Sequence, residues 1–347
     1  MERSSFISDG RPTEYRAGKS EKGYGSGGPG PEPLLESRKP MTGYLFRSAT
    51  RGSIVLFCVS VLVFAMSSLA GDPIKLLVPA ETSPEQLEQL RNAYGLNDPA
   101  GVRLGRFVSG LVQGDLGYSF RYQQPALSIV VERLGATLEL ALAAIIVTLL
   151  LALPAGVVSA VKRGSFIDTV VMAGSVFGHS LPSFFLGLLL IYLFSVKLHL
   201  LPTSGRGTLA HIVMPSLTLG LFYAGRAARL LRSSMLEVLH LEYMRTARAK
   251  GLAETIVIGR HALRNASLPV ITILGLELGG LLGGAVVTET IFAWPGIGKL
   301  AVEAVIARDF PIVQAVVLLT ATTFVVINVM VDILCGLLDP RIRLTRT

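Results

Sequence analysis

Few residues in this chain combine a reactive type with a setting that would use it, and the most telling are ionisable groups inside apolar runs. Glu277 and His179 sit well within such runs, with Glu139, Glu289 and Asp332 nearer the ends of theirs. An ionised side chain in hydrocarbon is costly, so each must face a cavity, a partner or a subunit interface. Two kinds of chemistry suit them: passing protons down a gradient, or holding the polar groups of a permeant molecule, an ammonium among them. His179, Glu277 and Glu289 are the candidates for lining such a pathway. Glu139, Glu289 and Asp332 also stand close enough to helix ends to reach interfacial water.

Catalytic motifs are missing. The only Gly-Lys-Ser, at Gly18-Lys19-Ser20, has Thr13 where a phosphate-binding loop needs its first glycine. No zinc-protease or nucleophile-elbow pattern occurs, and the five histidines are scattered. Cys58 and Cys335 both lie in apolar segments, which argues against a disulfide framework or a cysteine metal site. The chain is therefore expected to be no enzyme and to hold no metal. If it moves a solute uphill, the energy comes from an ion gradient or from a separate ATPase.

The elements that must position these groups follow from the apolar runs. Of 347 residues, 51% are hydrophobic, and the mean hydropathy is +0.57. The net charge of +8 comes with no basic stripe interleaved with aromatics, so a nucleic-acid partner is not expected. A span needs about 20 apolar residues to cross about 30 Å of hydrocarbon. Six segments qualify: between Arg51 and Asp72, Glu139 and Lys162, and Asp168 and Lys197, then about 209–224, 268–292 and 311–338. The expected fold is an all-α polytopic membrane protein with six transmembrane helices.

The remaining segments divide the chain further. Residues 1–48, rich in Gly, Ser, Pro and charge, read as a disordered cytoplasmic tail. A first transmembrane helix over 49–70 leads into a periplasmic helical subdomain, 71–133. There Ser83 offers an N-cap, Pro84 a first helical position, Glu85 a first-turn acid and Gly95 a stop. A five-helix core fills 134–338, interrupted by an inner loop, 231–268, and 339–347 form the C-terminus. With both termini cytoplasmic, 22 of the 32 Lys and Arg lie inside, eight of them in the 226–268 segment. Gly275, Gly279 and Gly283, with Gly280 and Gly284, form small-xxx-small repeats suited to close helix packing, within the chain or across to a second subunit.

The inner loop is the most distinctive stretch. Met235, Leu236, Leu239, Tyr243 and Ala247 recur at helical spacing, and Arg245, Arg248 and Lys250 crowd the end before Gly251. This predicts a helix lying along the membrane and ending in a glycine turn, a rigid knob. The run Glu242-Tyr243-Met244-Arg245-Thr246-Ala247-Arg248-Ala249-Lys250-Gly251-Leu252, followed by 260–265 (RHALRN) and Leu268-Pro269, resembles the coupling-loop signature of binding-protein-dependent ABC permeases. It departs from the general pattern, with Arg245-Thr246 in place of Glu-Ala and Pro269 standing 18 positions after Gly251. That departure is similar to the dipeptide/oligopeptide/nickel branch. Gly71-Asp72-Pro73, Leu96-Asn97-Asp98-Pro99, 114–117 (GDLG), 294–298 (WPGIG) and 338–343 (LDPRIR) look like landmarks of the same branch.

The resemblance spans about residues 43–346, and what it implies goes beyond what spacing shows. It implies a permease for di- or oligopeptides, with nickel, glutathione and opines as alternatives. It implies pairing with a second homologous permease subunit, two ABC ATPase subunits and an extracytoplasmic substrate-binding protein. ATP and Mg would be bound by the ATPase partners, with no cofactor in this chain. Glu242, Tyr243, Arg245, Thr246, Ala247, Ala249, Lys250 and Gly251 would couple to the ATPase. The rival reading is a proton-coupled secondary transporter working through Glu277, Glu289 and Asp332, although no internal repeat is visible.

Overall fold

The computed structural model describes residues 41–69, 83–93 and 97–338. The tail before residue 41, the proposed stop at Gly95, the C-terminal segment 339–347 and the side chains of Asp332 and Cys335 lie outside the described residues. Among these residues the chain is helical, with no strand and one isolated bridge between Tyr118 and Pro125.

Helix α1 covers Met41–Leu69, starting eight residues before the expected 49 and running through Gly43. Helix α2 (Pro84–Ala93) begins where its cap predicts, with Ser83 Oγ accepting from Gln86 N at 3.3 Å. Helix α3 (Ala100–Gln113) stops at Gly114, whose φ of +77° is the left-handed cap that glycine favours.

Helix α4 (Ala126–Val161) starts after Pro125 and runs 36 residues, about 54 Å. The expected boundary at 133/134 therefore falls inside a helix, since the chain holds no breaker between Pro125 and Pro154 strong enough to end it. The third expected span is not one helix. It consists of α5 (Phe166–Ser180) and α6 (Ser183–Leu190, extended by a wide turn Ile191–Lys197), bent by 101°. Leu181 precedes Pro182 and takes ψ 127°, the extended backbone that proline imposes on its predecessor.

Helix α7 (Leu209–Leu239) and the short α8 (Glu242–Ala249) divide the periodic run expected to form one knob: the chain breaks at His240-Leu241. A turn at Glu254–Ile256 and a wide turn Val257–Ala262 then lead into α9 (Leu263–Gly284). Helices α10 (Val286–Ile291), α11 (Ile297–Ile306) and α12 (Phe310–Leu338) complete the chain.

By length and apolar character α4 and α12 can cross a membrane, and the bent α5–α6 pair makes a third crossing if it is one span. A shorter apolar stretch, Thr50–Met66, lies in α1. Helices α7 and α9 fall below that standard. Arg226, Arg229 and Arg232 lie in the second half of α7, and Arg264, Asn265 and Glu277 lie in α9.

Missing side chains let the central helices touch. A Cβ at Gly156 of α4 would lie 2.8 Å from Leu231 of α7, and one at Gly225 of α7 would strike the Ser175 carbonyl of α5. On the other side, Gly275 and Gly279 of α9 meet Val331 and Phe324 of α12, so this pair of glycines packs within the chain. Gly225→Ala should therefore force α5 and α7 apart at a cost of about 1–3 kcal/mol. Gly174→Ala, where nothing lies within 4 Å, should be neutral. Thermal unfolding of both variants in detergent checks this, and equal midpoints would refute the close contact.

Candidate functional site: a helical knob and a charge cluster within the bundle

The knob is short and pinned from one side. Met244 and Ala247 of α8 are buried in a cluster with Leu231 and Met235 of α7 and with Val257, Ala262 and Ala266 leading into α9. Asn265 Nδ2 donates to Tyr243 Oη at 2.8 Å, which fixes the knob to the base of α9. Arg245 bonds Glu242 at 2.8 Å, and Arg248 bonds Glu254 at 2.8 Å, bridging the glycine turn. The Arg248 guanidinium holds the Glu254 carboxyl below the usual carboxylate range. Gly251 has φ +76°, and a Cβ placed there would meet nothing within 4 Å, so glycine is needed for its backbone rather than for space.

Of the eight residues expected on the coupling surface, Glu242, Tyr243, Arg245, Thr246, Ala249, Lys250 and Gly251 are exposed, and Ala247 is not. Ala247 seats the knob, which is a packing role. Its spacing from Tyr243 and Leu239 suggested this, but only packing separates the seated face from the open one.

A carboxylate used only as a span boundary in the sequence proves central. Asp168, 5% exposed, receives Arg232 Nε and Nη2 at 2.8 Å each, the Ser159 hydroxyl, and Gly164 N at 3.0 Å. This fork-to-fork pair ties the α4–α5 turn to α7 beside the cluster that seats α8. Its signal in the sequence was weak: an acid in the first turn of a helix.

The pathway candidates separate. His179 Nδ1 lies 3.1 Å from the Phe222 carbonyl, and its ring stacks on Phe222 at 4.6 Å. Glu277 Oε1 accepts from Arg226 Nη1 at 2.9 Å, and His179 and Tyr223 both lie within electrostatic reach of this carboxylate. His179 and Glu277 are thus brought together. Arg226, which sequence reasoning passed over, completes the group.

Glu289 belongs elsewhere. It is fully buried, and its oxygens accept from the Thr137 hydroxyl at 2.7 Å and from Lys299 N at 3.0 Å. Thr137 in turn accepts from Ile297 N at 2.9 Å, and Trp294 Nε1 donates to the Ala136 carbonyl at 2.8 Å. A Cβ at Gly296 would land on the Glu289 carboxylate, and one at Gly298 would lie 2.8 Å from Val286 Cα. Glu289 therefore clamps the 294–298 loop to α4 and to the N-terminus of α11, away from the His179–Glu277–Arg226 group. Glu139, at the surface, pairs with Arg206 at 2.5 Å.

The clamp makes a prediction. Glu289→Ala should leave the Lys299 amide and the Thr137 hydroxyl without their acceptor and lower stability by about 1–3 kcal/mol. Limited proteolysis of the 292–300 loop should accelerate together with the drop in melting temperature. Unchanged cleavage would mean the loop holds without the carboxylate.

Comparison with known proteins identifies the family. Residues 152–344 match the family described as "Binding-protein-dependent transport system inner membrane component", and residues 41–141 match its N-terminal counterpart. The glutathione transport system permease protein GsiC of Escherichia coli (strain K12) is 43% identical over 289 residues, covering 83% of this chain and 94% of that protein. The same protein from Shigella flexneri serotype 5b (strain 8401) is 42% identical over the same extent. Among solved structures, a chain of the MetNI methionine ABC transporter, in an inward-facing crystal form, superposes with a TM-score of 0.52. It is 21% identical and covers 61% of this chain and 96% of that one, a likeness of fold. The chain belongs to the binding-protein-dependent transport inner-membrane component family, in its dipeptide/oligopeptide branch: it is the inner-membrane permease subunit of an ABC importer.

Proposed function

We propose that this chain forms half of the translocation path for short peptides, glutathione first among them. It does so beside a second homologous permease, with two ATPase subunits that bind ATP and Mg and an extracytoplasmic substrate-binding protein that delivers the cargo. No cofactor is assigned to the chain itself. The glutathione permeases at 43% identity over most of both chains support the cargo assignment.

The observation that carries the coupling half of the proposal is the two-sided character of α8. Its inner face, Met244 and Ala247, is locked into the bundle, while Glu242, Arg245, Thr246, Ala249 and Lys250 face outward and bond to nothing beyond the knob among the described residues. A helix seated this way moves as one piece with the bases of α7 and α9, so force applied to its open face is delivered to both. The eight Lys and Arg of the 226–268 segment support a cytoplasmic location for this face, the side from which ATPase subunits would dock.

Reversing charge on the open face, with Arg245→Glu and Lys250→Glu together, should leave insertion and helix content intact while the ATPase subunits no longer co-purify. Uptake of labelled glutathione by the reconstituted complex should fall roughly tenfold or more. Full uptake by this double variant would show that the knob is not the docking element.

A further inference from the structure

Helix α7 carries a stripe that lipid cannot cover. Phe222, Arg226, Arg229, Ser233 and Glu237 recur at helical spacing and are partly or fully exposed, while Ala224, Gly225, Ala227, Ala228, Leu231, Ser234 and Met235 are buried. Arg226 stands 13 residues before the α8 end of the helix, about 20 Å along it. Glu277 is a similar distance from the first residue of α9, and His179 from the first residue of α5. The cluster thus lies deep within the thickness of a membrane, and its polar stripe leads from that depth toward α8. An unshielded guanidinium facing hydrocarbon would be expensive, so this stripe lines water or a partner.

The pairing around Arg226 is incomplete. The Arg226 side chain is 55% exposed, and Glu277 takes only its Nη1. Its Nε and Nη2, the edge of the guanidinium that matches a carboxylate with two parallel bonds, have no partner among the described residues. Arg229, one turn along, has no carboxylate partner among the described residues either. Glu277 is nine-tenths buried, and its second oxygen, Oε2, accepts no bond. At the depth of Arg226, two guanidiniums, Arg226 and Arg229, face one recessed carboxylate, since Glu237 lies about two turns beyond Arg229 toward α8.

We infer that Arg226 is the mid-span anchor for the carboxylate of the transported molecule, with Glu277 as the positioning residue that holds the guanidinium by one nitrogen and presents the other edge to the path. This rests on the permease reading above and extends it: the cargo is a small solute with a free carboxylate, as at the C-terminus of a short peptide. Glu277 also compensates the guanidinium when no cargo is present, which an intramembrane cation needs. Arg229 then adds a second positive charge on the way toward α8.

The test uses the complete transporter in lipid nanodiscs and phenylglyoxal, which attacks accessible guanidiniums, with modification of Arg226 read by mass spectrometry. Arg226 should react in the empty complex, be protected by trialanine, and stay reactive with trialanine amide, which keeps the ammonium and lacks the carboxylate. Protection by both peptides or by neither would overturn the inference. So would an Arg226 that does not react in the empty complex, since a carboxylate of the second permease would then be its partner. In transport, Arg226→Gln should lower trialanine uptake roughly tenfold or more, with part of it recovered by Arg226→Lys. Unchanged uptake in Arg226→Gln would equally overturn it. Uptake of glutathione by the unsubstituted complex reads the proposed function separately, because the protection assay depends on binding alone.

Discussion

A carboxylate removed from water is stable only among donors, and the way three of them meet this requirement organises the chain. Asp168 is saturated by a guanidinium fork, a hydroxyl and a backbone amide, and it holds the α4–α5 turn against α7. Glu289 is saturated by a threonine and the first amides of α11, and it shapes the loop that carries the only tryptophan. Glu277 is only half satisfied, with one oxygen on Arg226 and the other bare. The saturated pair are structural, because nothing more can bind to them. Like the buried Asp309, whose Oδ1 is also without a donor among the described residues, Glu277 keeps an unused acceptor.

The same bundle links that group to the knob by close packing. Leu231 and Met235 lie one to three turns from Arg226 on the buried side of α7, and they are the residues against which Met244 and Ala247 seat α8. Asp168 and Arg232 brace the same stretch from the α5 side. Glycines at 156, 220 and 225 bring α4, α5 and α7 into backbone contact, so these helices have little freedom to slide independently. A displacement of α8 therefore reaches the level of Arg226 through a rigid helix.

Much of this was legible in the residues because it depends on neighbours in sequence. The Ser83-Pro84 start of α2, the left-handed turn at Gly251, the basic end of the knob and the apolar length of α4 and α12 are local matters of capping, backbone freedom and composition. Other features were misjudged where tertiary contacts decide. The run from Met235 to Ala247 reads as one amphipathic helix, yet it is two, with a turn at His240-Leu241 that brings Met235 of one and Met244 and Ala247 of the other into one cluster. The span through Leu181-Pro182 reads as continuous because its apolar count is sufficient, and composition is blind to a 101° bend.

The sequence by itself determined the class of protein: apolar runs separated by fixed charges require a membrane, and the 242–269 signature places the chain among the permeases of binding-protein-dependent importers. It also supplied His179 and the carboxylates within the apolar runs, but not Arg226. Only the tertiary structure decided what each does, since a carboxylate's role depends on which donors reach it. Thr137 lies 152 positions from Glu289, and Arg226 lies 51 from Glu277. Pairings at such separations are set by how helices pack, and no local pattern encodes them.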